Sequence, residues 1–136
     1  METTIIIEGL IPGLNGANGL MRQHFHNAMV QKKKYQAIIK RQTKNKHLGQ
    51  VSIDYIGYKS VLMDWDNFCA SFKHIGDSLV ECGVIVDDNP KIVRPFRVQQ
   101  IKCKRIDQRV EIVIRDLESK FPNKIDNRIK QNNDEH

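Results

Sequence analysis

The amino-acid sequence predicts a single small domain that combines β-strands with α-helices, and three observations lead to this fold class. The chain has 136 residues, the usual size of one domain. Short segments of alternating apolar residues, typical of strands, are separated by longer segments with helical spacing. About 40% of the residues are hydrophobic and 28% are charged, as in ordinary globular proteins. We expect a domain over residues 1–120 and a polar, mobile tail over residues 121–136.

Four segments carry the strand pattern. Residues 3–8 are β-branched and predict an opening strand. Residues 49–58 alternate apolar and polar side chains, and residues 60–63 are expected to continue the same sheet. Residues 97–104 and 109–114 alternate in the same way and predict two further strands near the end of the chain.

Two longer segments predict helices. Residues 20–42 contain neither glycine nor proline and carry apolar residues throughout. Residues 67–82 show the clearer pattern, with apolar residues at spacings of 4, 3, 4 and 3 and Gly83 as a plausible C-cap. The apolar face consists of Phe68, Phe72, Ile75, Leu79 and Cys82, and the opposite face of Asp66, Ala70, Lys73, Asp77 and Glu81.

Composition argues against several classes of protein. The longest apolar runs, residues 5–7 and 83–86, are far shorter than the roughly 18 residues that a membrane span needs. The N-terminus shows no secretory signal pattern. Three cysteines without close spacing favour neither a disulfide framework nor a zinc site. We therefore expect a reduced, cytoplasmic protein without a membrane partner or a small-molecule cofactor.

Charge is distributed unevenly along the chain. The formal net charge is +6, and residues 9–53 contain eight lysines and arginines but no acid. Residues 54–90 reverse the sign with seven acids against two lysines, and residues 91–117 are basic again. Basic segments attract phosphate, whereas carboxylates tolerate phosphate only when a divalent cation lies between them. This pattern suggests a metal site beside nucleic acid, although solvated faces of an ordinary basic protein explain the charges equally well.

The acidic centre contains two pairs of carboxylates. Asp64 and Asp66 lie two residues apart just before the second helix, and in extended backbone both would point to one side and reach one metal ion. Asp87 and Asp88 lie beyond the other end of that helix, which at 16 residues would be about 24 Å long. The two pairs can meet only if the chain folds back after Gly83 or if a second subunit supplies one pair.

A purely structural interpretation of these residues stays open. Asp64 or Asp66 can serve as a helix N-cap, which stabilises a helix by about 1 kcal/mol. Asp87 and Asp88 can belong to an exposed turn. Lys73 and Asp77, four residues apart, can form a surface ion pair that contributes only a few tenths of a kcal/mol.

The ordered set of Asp64-Trp65-Asp66-Asn67, Lys73, Asp77, Leu79, Gly83 and Asp87-Asp88 resembles the RusA-type Holliday junction resolvases, small nucleases common in phages and prophages. The match covers about 25 residues at the centre of the chain and is loose outside it. In the family the lysine usually lies one turn earlier, where this chain has Ala70. Lys73 instead keeps the family spacing to Asp77.

The resemblance implies an α/β fold of the α+β type, with a small mixed sheet and two main helices, that forms a homodimer. It further implies an Mg²⁺-dependent endodeoxyribonuclease, with Mn²⁺ as a substitute, that resolves four-way DNA junctions by paired nicks. Asp64, Asp66 and Asp88 would be metal ligands, Asp87 a weaker candidate, and Lys73 a catalytic residue that holds water or offsets phosphate charge.

The remaining basic residues suggest DNA contacts that position the backbone without reading sequence. They are Lys32, Lys33, Lys34, Lys40, Arg41, Lys44, Lys46, Lys102, Lys104 and Arg105. Two other functions stay open at this point. One is a DNA-binding protein without catalytic activity on the same scaffold, and the other is a metal nuclease that acts on flaps or RNA.

Overall fold

The computed structural model describes residues 1–12 and 25–117 and confirms the predicted fold class, a small mixed α+β domain. Four strands form one sheet, and helices connect or cover them. The elements in chain order are β1 (Glu2–Glu8), α1 (Phe25–Gln42), β2 (Val51–Lys59), α2 (Trp65–Ala70), α3 (Lys73–Glu81), β3 (Val93–Lys102) and β4 (Arg109–Asp116), with a short 3₁₀ turn at Arg105–Asp107 between the last two strands.

The sheet has the strand order β1-β4-β2-β3. β4 lies in the middle and pairs antiparallel with both β1 and β2, so that Ile112 is opposite Ile5 on one side and Tyr55 on the other. β2 and β3 are parallel, with Tyr55 opposite Val98. A parallel pair requires a crossover connection. Here the crossover consists of α2, α3 and the turn after them, which places the acidic segments beside the β2–β3 edge of the sheet.

The hydrophobic core lies between the sheet and the helices. β1 shows the alternation expected of a strand with one buried face, since every second residue from Thr3 to Ile7 is buried. The fully buried core side chains come from all layers and include Ile5, Ile39, Ile53, Tyr55, Phe68, Ile75, Leu79, Ile112 and Ile114. The predicted apolar face of the second helix is therefore correct at Phe68, Ile75 and Leu79.

A polar cluster around the buried His47 ties together three distant parts of the chain. His47 is fully buried, and its Nδ1 donates to the Asp116 carboxylate at 2.8 Å, because an ionised carboxylate can only accept. Its Nε2 lies 2.8 Å from Thr3 Oγ1, which also accepts from Asn45 Nδ2 at 2.9 Å. The N-terminal amine of Met1 lies 3.3 Å from the second oxygen of Asp116. This cluster joins β1 and the end of β4 to the segment after α1.

The prediction of one continuous helix over residues 67–82 is wrong. The helix breaks at residues 71 and 72, where the Ser71 and Phe72 amides donate to carbonyls three residues back instead of four. The Ser71 hydroxyl lies 2.7 Å from the buried Tyr55 hydroxyl of β2. Side-chain hydroxyls that compete for backbone groups tighten or bend helices. The Ser71 hydroxyl does this at the break between α2 and α3, because it donates to the Phe68 carbonyl three residues back at 2.5 Å.

Several other boundaries differ from the sequence expectation. Residues 60–63 do not continue the sheet, because β2 ends at Lys59. β3 begins four residues earlier than predicted, at Val93, and ends at Lys102. Gly83 has a φ of +77°, as expected of a glycine that ends a helix. The start of the first predicted helix and the proposed tail over residues 121–136 lie outside the described residues. In the part that is described, no helix is long and apolar enough to cross a membrane.

Candidate functional site

A cavity of about 820 Å³ lies where α2, α3, the turn after α3 and the start of β3 come together. Its wall contains Asp66, Lys73 and Asp88, three of the residues singled out by the sequence motif. The remaining lining residues are Cys69, Ala70, Phe72, Pro90, Val93 and Phe96. The chain therefore does fold back after Gly83, and each acidic pair contributes one carboxylate to the same cavity within one subunit.

The first acidic pair is arranged differently from the sequence prediction. Asp66 lies in the first turn of α2, so the expectation that Asp64 and Asp66 share a side of an extended segment is wrong. One Asp66 carboxylate oxygen, Oδ1, accepts from the Asn67 amide at 2.8 Å. Asp66 lines the cavity, whereas Asp64 is not among the described residues that line it.

Asp64 occupies the N-cap of α2 through its backbone alone. Its φ and ψ are −60° and 149°, and its carbonyl accepts from the Phe68 amide at 2.9 Å, which opens the helix. The side chain is exposed and makes no capping hydrogen bond. The structural interpretation of Asp64 as a capping side chain is therefore not supported, and its carboxylate is accessible for another role.

The two carboxylates of the second acidic pair, Asp87 and Asp88, have different surroundings. Asp87 accepts from the Asp88 amide at 2.7 Å and from Asn89 Nδ2 at 3.0 Å, so its carboxylate holds the turn. The Asp88 carboxylate makes no hydrogen bond or ion pair with the residues that the structure describes. Its Oδ2 lies 3.5 Å from the point where a Cβ on Gly76 of α3 would be, so the carboxylate lies beside that helix, and Asp88 lines the cavity. Asp88 rather than Asp87 therefore belongs to the cavity.

Lys73 lies at the start of α3, and its side chain is 60% exposed. Its Nζ is 3.6 Å from Asp77 Oδ2, which confirms the ion pair expected between these residues. The same oxygen is 3.0 Å from Lys32 Nζ of α1, so Asp77 holds two lysines. Lys73 also lines the cavity, so its wall contains one lysine together with Asp66 and Asp88.

The loop that leads into Asp64 is fixed at both ends by glutamine side chains. Gln100 of β3 accepts from the Met63 amide at 2.8 Å and donates to the Met63 carbonyl at 2.9 Å. Gln108 accepts from the backbone and the hydroxyl of Ser60, both at 3.1 Å. These contacts hold the backbone of residues 60–63 in place between the end of β2 and the start of α2.

The apolar part of the cavity is aromatic. The ring centroids of Phe72 and Phe96 lie 4.8 Å apart, and Phe96 is also stacked on Tyr55 at 6.4 Å. Phe96 remains 38% exposed. Phe72, which the sequence placed on the apolar helix face, packs partly against the core and also lines the cavity, as does Cys69. Neither Phe96 nor Gln100 was predicted, because both depend on the register of β3 against β2.

The described lining of the cavity offers two carboxylates, but not three, to a hard divalent cation. Across residues 1–12 and 25–117, no three or more His, Cys, Asp or Glu side chains are grouped closely enough to hold a metal ion. The predicted ligands Asp64, Asp66 and Asp88 are thus not gathered into one cluster. Asp66 and Asp88 nevertheless line one cavity, and Mg²⁺ is commonly held by one or two carboxylates together with water and substrate phosphate.

The predicted DNA-binding residues belong to two parts of the fold. Lys33, Lys34, Lys40 and Arg41 are exposed on α1, and Lys44 and Lys46 are exposed in the segment after it. Lys32 differs, because it is half-buried and paired with Asp77. The second group is exposed at the C-terminal end of β3 and just beyond it and consists of Lys102, Lys104 and Arg105.

Two other arginines are engaged within the sheet. Asp54 of β2 bonds Arg97 of β3 at 2.7 Å and Arg115 of β4 at 3.0 Å. Burial raises the pKa of Asp54, but the hydrogen bonds and positive charges of both arginines outweigh it, so the pKa lies below its ordinary value. Arg115 also bonds Glu2 of β1 at 3.1 Å. Both arginines therefore link neighbouring strands of the sheet through Asp54.

Comparison with known proteins assigns no family to the chain. No family model and no curated protein matches it. Among solved structures, the periplasmic domain of Helicobacter pylori MotB is 16% identical, with a TM-score of 0.32 over 90% of this chain and 95% of that one. A likeness at this level carries no argument about fold or function.

Proposed function

We propose that the protein is a metal-dependent, structure-specific endodeoxyribonuclease of the RusA type that resolves four-way DNA junctions by paired nicks. The observation that carries the proposal is the cavity shared by Asp66, Lys73 and Asp88, which come from separate parts of the motif. The ordered spacing of the motif supports it as well. A purely structural motif of caps and turns has no need to bring two acids and a lysine together.

In this proposal Asp66 and Asp88 would hold a Mg²⁺ or Mn²⁺ ion. Asp64, which the sequence predicted as a further ligand, lies outside the cavity lining. A bound ion of this kind polarises the scissile phosphate and lowers the pKa of water. Lys73, which lines the same cavity, would offset the negative charge that grows on the phosphate during cleavage. Asp77 positions Lys73, and Asp87 positions Asp88 by holding the turn.

The exposed lysines of α1 and of the β3 end would contact DNA phosphates on either side of the cut. Lys32 is the weakest of these candidates because Asp77 already neutralises it. A homodimer suits the reaction, since two nicks in strands of like polarity require two sites related by a two-fold axis. The proposed location is the cytoplasm of a bacterial or phage-infected cell.

A second candidate is a branched-DNA-binding protein without catalytic activity. It is favoured by the finding that the described residues hold no cluster of three metal-ligating side chains. In that case junction affinity would depend on salt but not on Mg²⁺.

The experiment that separates these candidates is cleavage of a labelled synthetic junction beside linear duplex, flap and RNA controls, each with Mg²⁺, Mn²⁺ or EDTA. The proposal expects symmetric, metal-dependent nicks in the junction and little cutting of the linear duplex. Cutting of flaps or RNA in preference to junctions would reassign the substrate. Tight junction binding without a cut in any metal would overturn the enzymatic proposal and favour the binding protein.

A further inference from the structure

The cavity is more apolar than phosphate chemistry alone requires. Asp66, Lys73 and Asp88 account for its charged side chains, but two phenylalanines, Val93 and Pro90 form much of the rest. A site for one ion, water and a phosphate group needs polar groups rather than aromatic walls. At about 820 Å³ the cavity also falls in the range of roughly 300–1,000 Å³ typical of sites that take an organic group.

The aromatic wall is held in place before any ligand arrives. Phe96 stacks on Tyr55, which is fully buried and stacked on Phe68 at 4.9 Å. Phe72 meets the Tyr55 ring edge-on at 5.0 Å. The Tyr55 hydroxyl is in turn bound to Ser71. The partly exposed Phe96 ring is thus a supported flat surface, and such rings stack on nucleobases of any identity.

We propose that this cavity receives one unpaired nucleobase, that of the nucleotide next to the cleaved phosphate. The inference rests on the proposed nuclease function and names the part of the substrate that the same site binds. A phosphate beside Asp66 and Asp88 brings its own base with it, because the two are linked through one sugar. When a phosphate binds at the charged side of the cavity, its base is therefore always close enough to occupy the apolar side.

The residues that line the cavity also indicate that it does not distinguish one base from another. Besides the three charged residues, the described lining offers no amide or hydroxyl side chain that would distinguish base edges. Recognition by stacking requires an unpaired base, and extrusion is least costly where base pairing is already weakened, as at a branch point. The cavity therefore selects for branched DNA by admitting any unpaired base.

The test combines a protein change with a substrate change. Phe96→Leu keeps an apolar side chain on the partly exposed position but removes the ring face. On an intact junction we expect cleavage to fall about tenfold, the size of one base–aromatic stacking contact. On junctions with an abasic nucleotide beside the cut, wild type and Phe96→Leu should cleave at equal rates. Ile106→Ala, at an 89% exposed residue outside the cavity, is the matched control and should change neither rate.

A fluorescent base separates this inference from the proposed function. With 2-aminopurine beside the cut, binding of wild type in EDTA should change the fluorescence by stacking, and Phe96→Leu should abolish that change without any cleavage being needed. Equal losses of cleavage on intact and abasic junctions would make Phe96 merely structural and overturn the inference. A 2-aminopurine signal that does not change on binding would overturn the inference too. So would a Phe96→Leu protein that no longer forms dimers, because the cavity would then be covered by a second subunit. Failure of wild type to cut in any metal would instead refute the proposed function.

Discussion

The contact between Gly57 and Phe68 is the point at which the sheet holds the helix that carries Asp66. A Cβ added at Gly57 would lie 2.4 Å from Phe68 Cε1 and 2.8 Å from Cζ, whereas ordinary contacts begin near 3.4 Å. Phe68 is fully buried and stacked on Tyr55, so its ring cannot retreat without moving α2 or its neighbours. Gly57→Ala must therefore displace either the ring or the strand by about 1 Å.

Overpacking of this kind costs about 1–3 kcal/mol of the free energy of unfolding. For 136 residues, with an unfolding entropy of about 2.1 cal/mol/K per residue, a loss of about 2 kcal/mol corresponds to a melting temperature lower by about 7 °C. Urea unfolding can be followed by the fluorescence of Trp65, the single tryptophan, whose ring meets Phe68 at a centroid distance of 6.2 Å. The same signal therefore reports on the packing that the substitution disturbs.

Gly49→Ala is the matched control, since no heavy atom lies within 4 Å of a Cβ at that position. We expect it to change the free energy of unfolding by no more than about 0.5 kcal/mol. Adding Phe68→Leu to Gly57→Ala should recover part of the lost stability, because the smaller side chain leaves room for the new methyl group. If Gly57→Ala unfolds at the same urea concentration as Gly49→Ala, the proposed role of this contact is wrong.

Two further predictions concern the polar cluster around His47 and the loop that leads into Asp64. The hydrogen bond from His47 lowers the pKa of Asp116 below its ordinary 3.8. This interaction therefore stabilises the folded state above that pH, and the stabilisation is lost as pH falls through the lower folded-state pKa. Asp116→Asn should thus weaken the decrease in the free energy of unfolding at acidic pH, as measured by urea unfolding. An unchanged decrease would contradict this. Gln100→Met should speed hydrogen exchange of the Met63 amide and slow junction cleavage with unchanged DNA affinity, whereas Gln99→Met, at the exposed neighbouring position, should do neither. If the Met63 amide stays equally protected in Gln100→Met, the hydrogen bonds between Gln100 and Met63 do not hold the loop.

Local patterns predicted most of the elements but not their tertiary adjustments. Alternation of apolar residues correctly located β1, β2 and β4, because a strand with one buried face must alternate. The break between α2 and α3 was missed because apolar spacing gives no information on the Ser71 hydroxyl, which bonds the Phe68 carbonyl three residues back and Tyr55 of the sheet sixteen residues away. Helical periodicity continues through such a break, so no window of the sequence could reveal it.

The candidate site was predictable in its charged part only. The motif singled out Asp66, Lys73 and Asp88, but whether they meet depends on how the chain crosses from α3 to β3. Phe96 and Gln100 escaped notice because β3 is paired with β2 in parallel, and the contacts of β3 with the loop before α2 follow from that register. Asp64 shows the opposite error, since its extended-backbone interpretation failed once the helix began at Trp65.

The most direct test of the central claim is junction cleavage by Asp66→Asn beside a matched change at an acid outside the cavity. Asp107→Asn alters an exposed aspartate in the 3₁₀ turn and serves as that control. With Mg²⁺, we expect wild type and Asp107→Asn to make paired nicks, whereas Asp66→Asn should bind the junction at least as tightly but not cut it. Cleavage by Asp66→Asn at the wild-type rate would show that the proposed metal site is wrong.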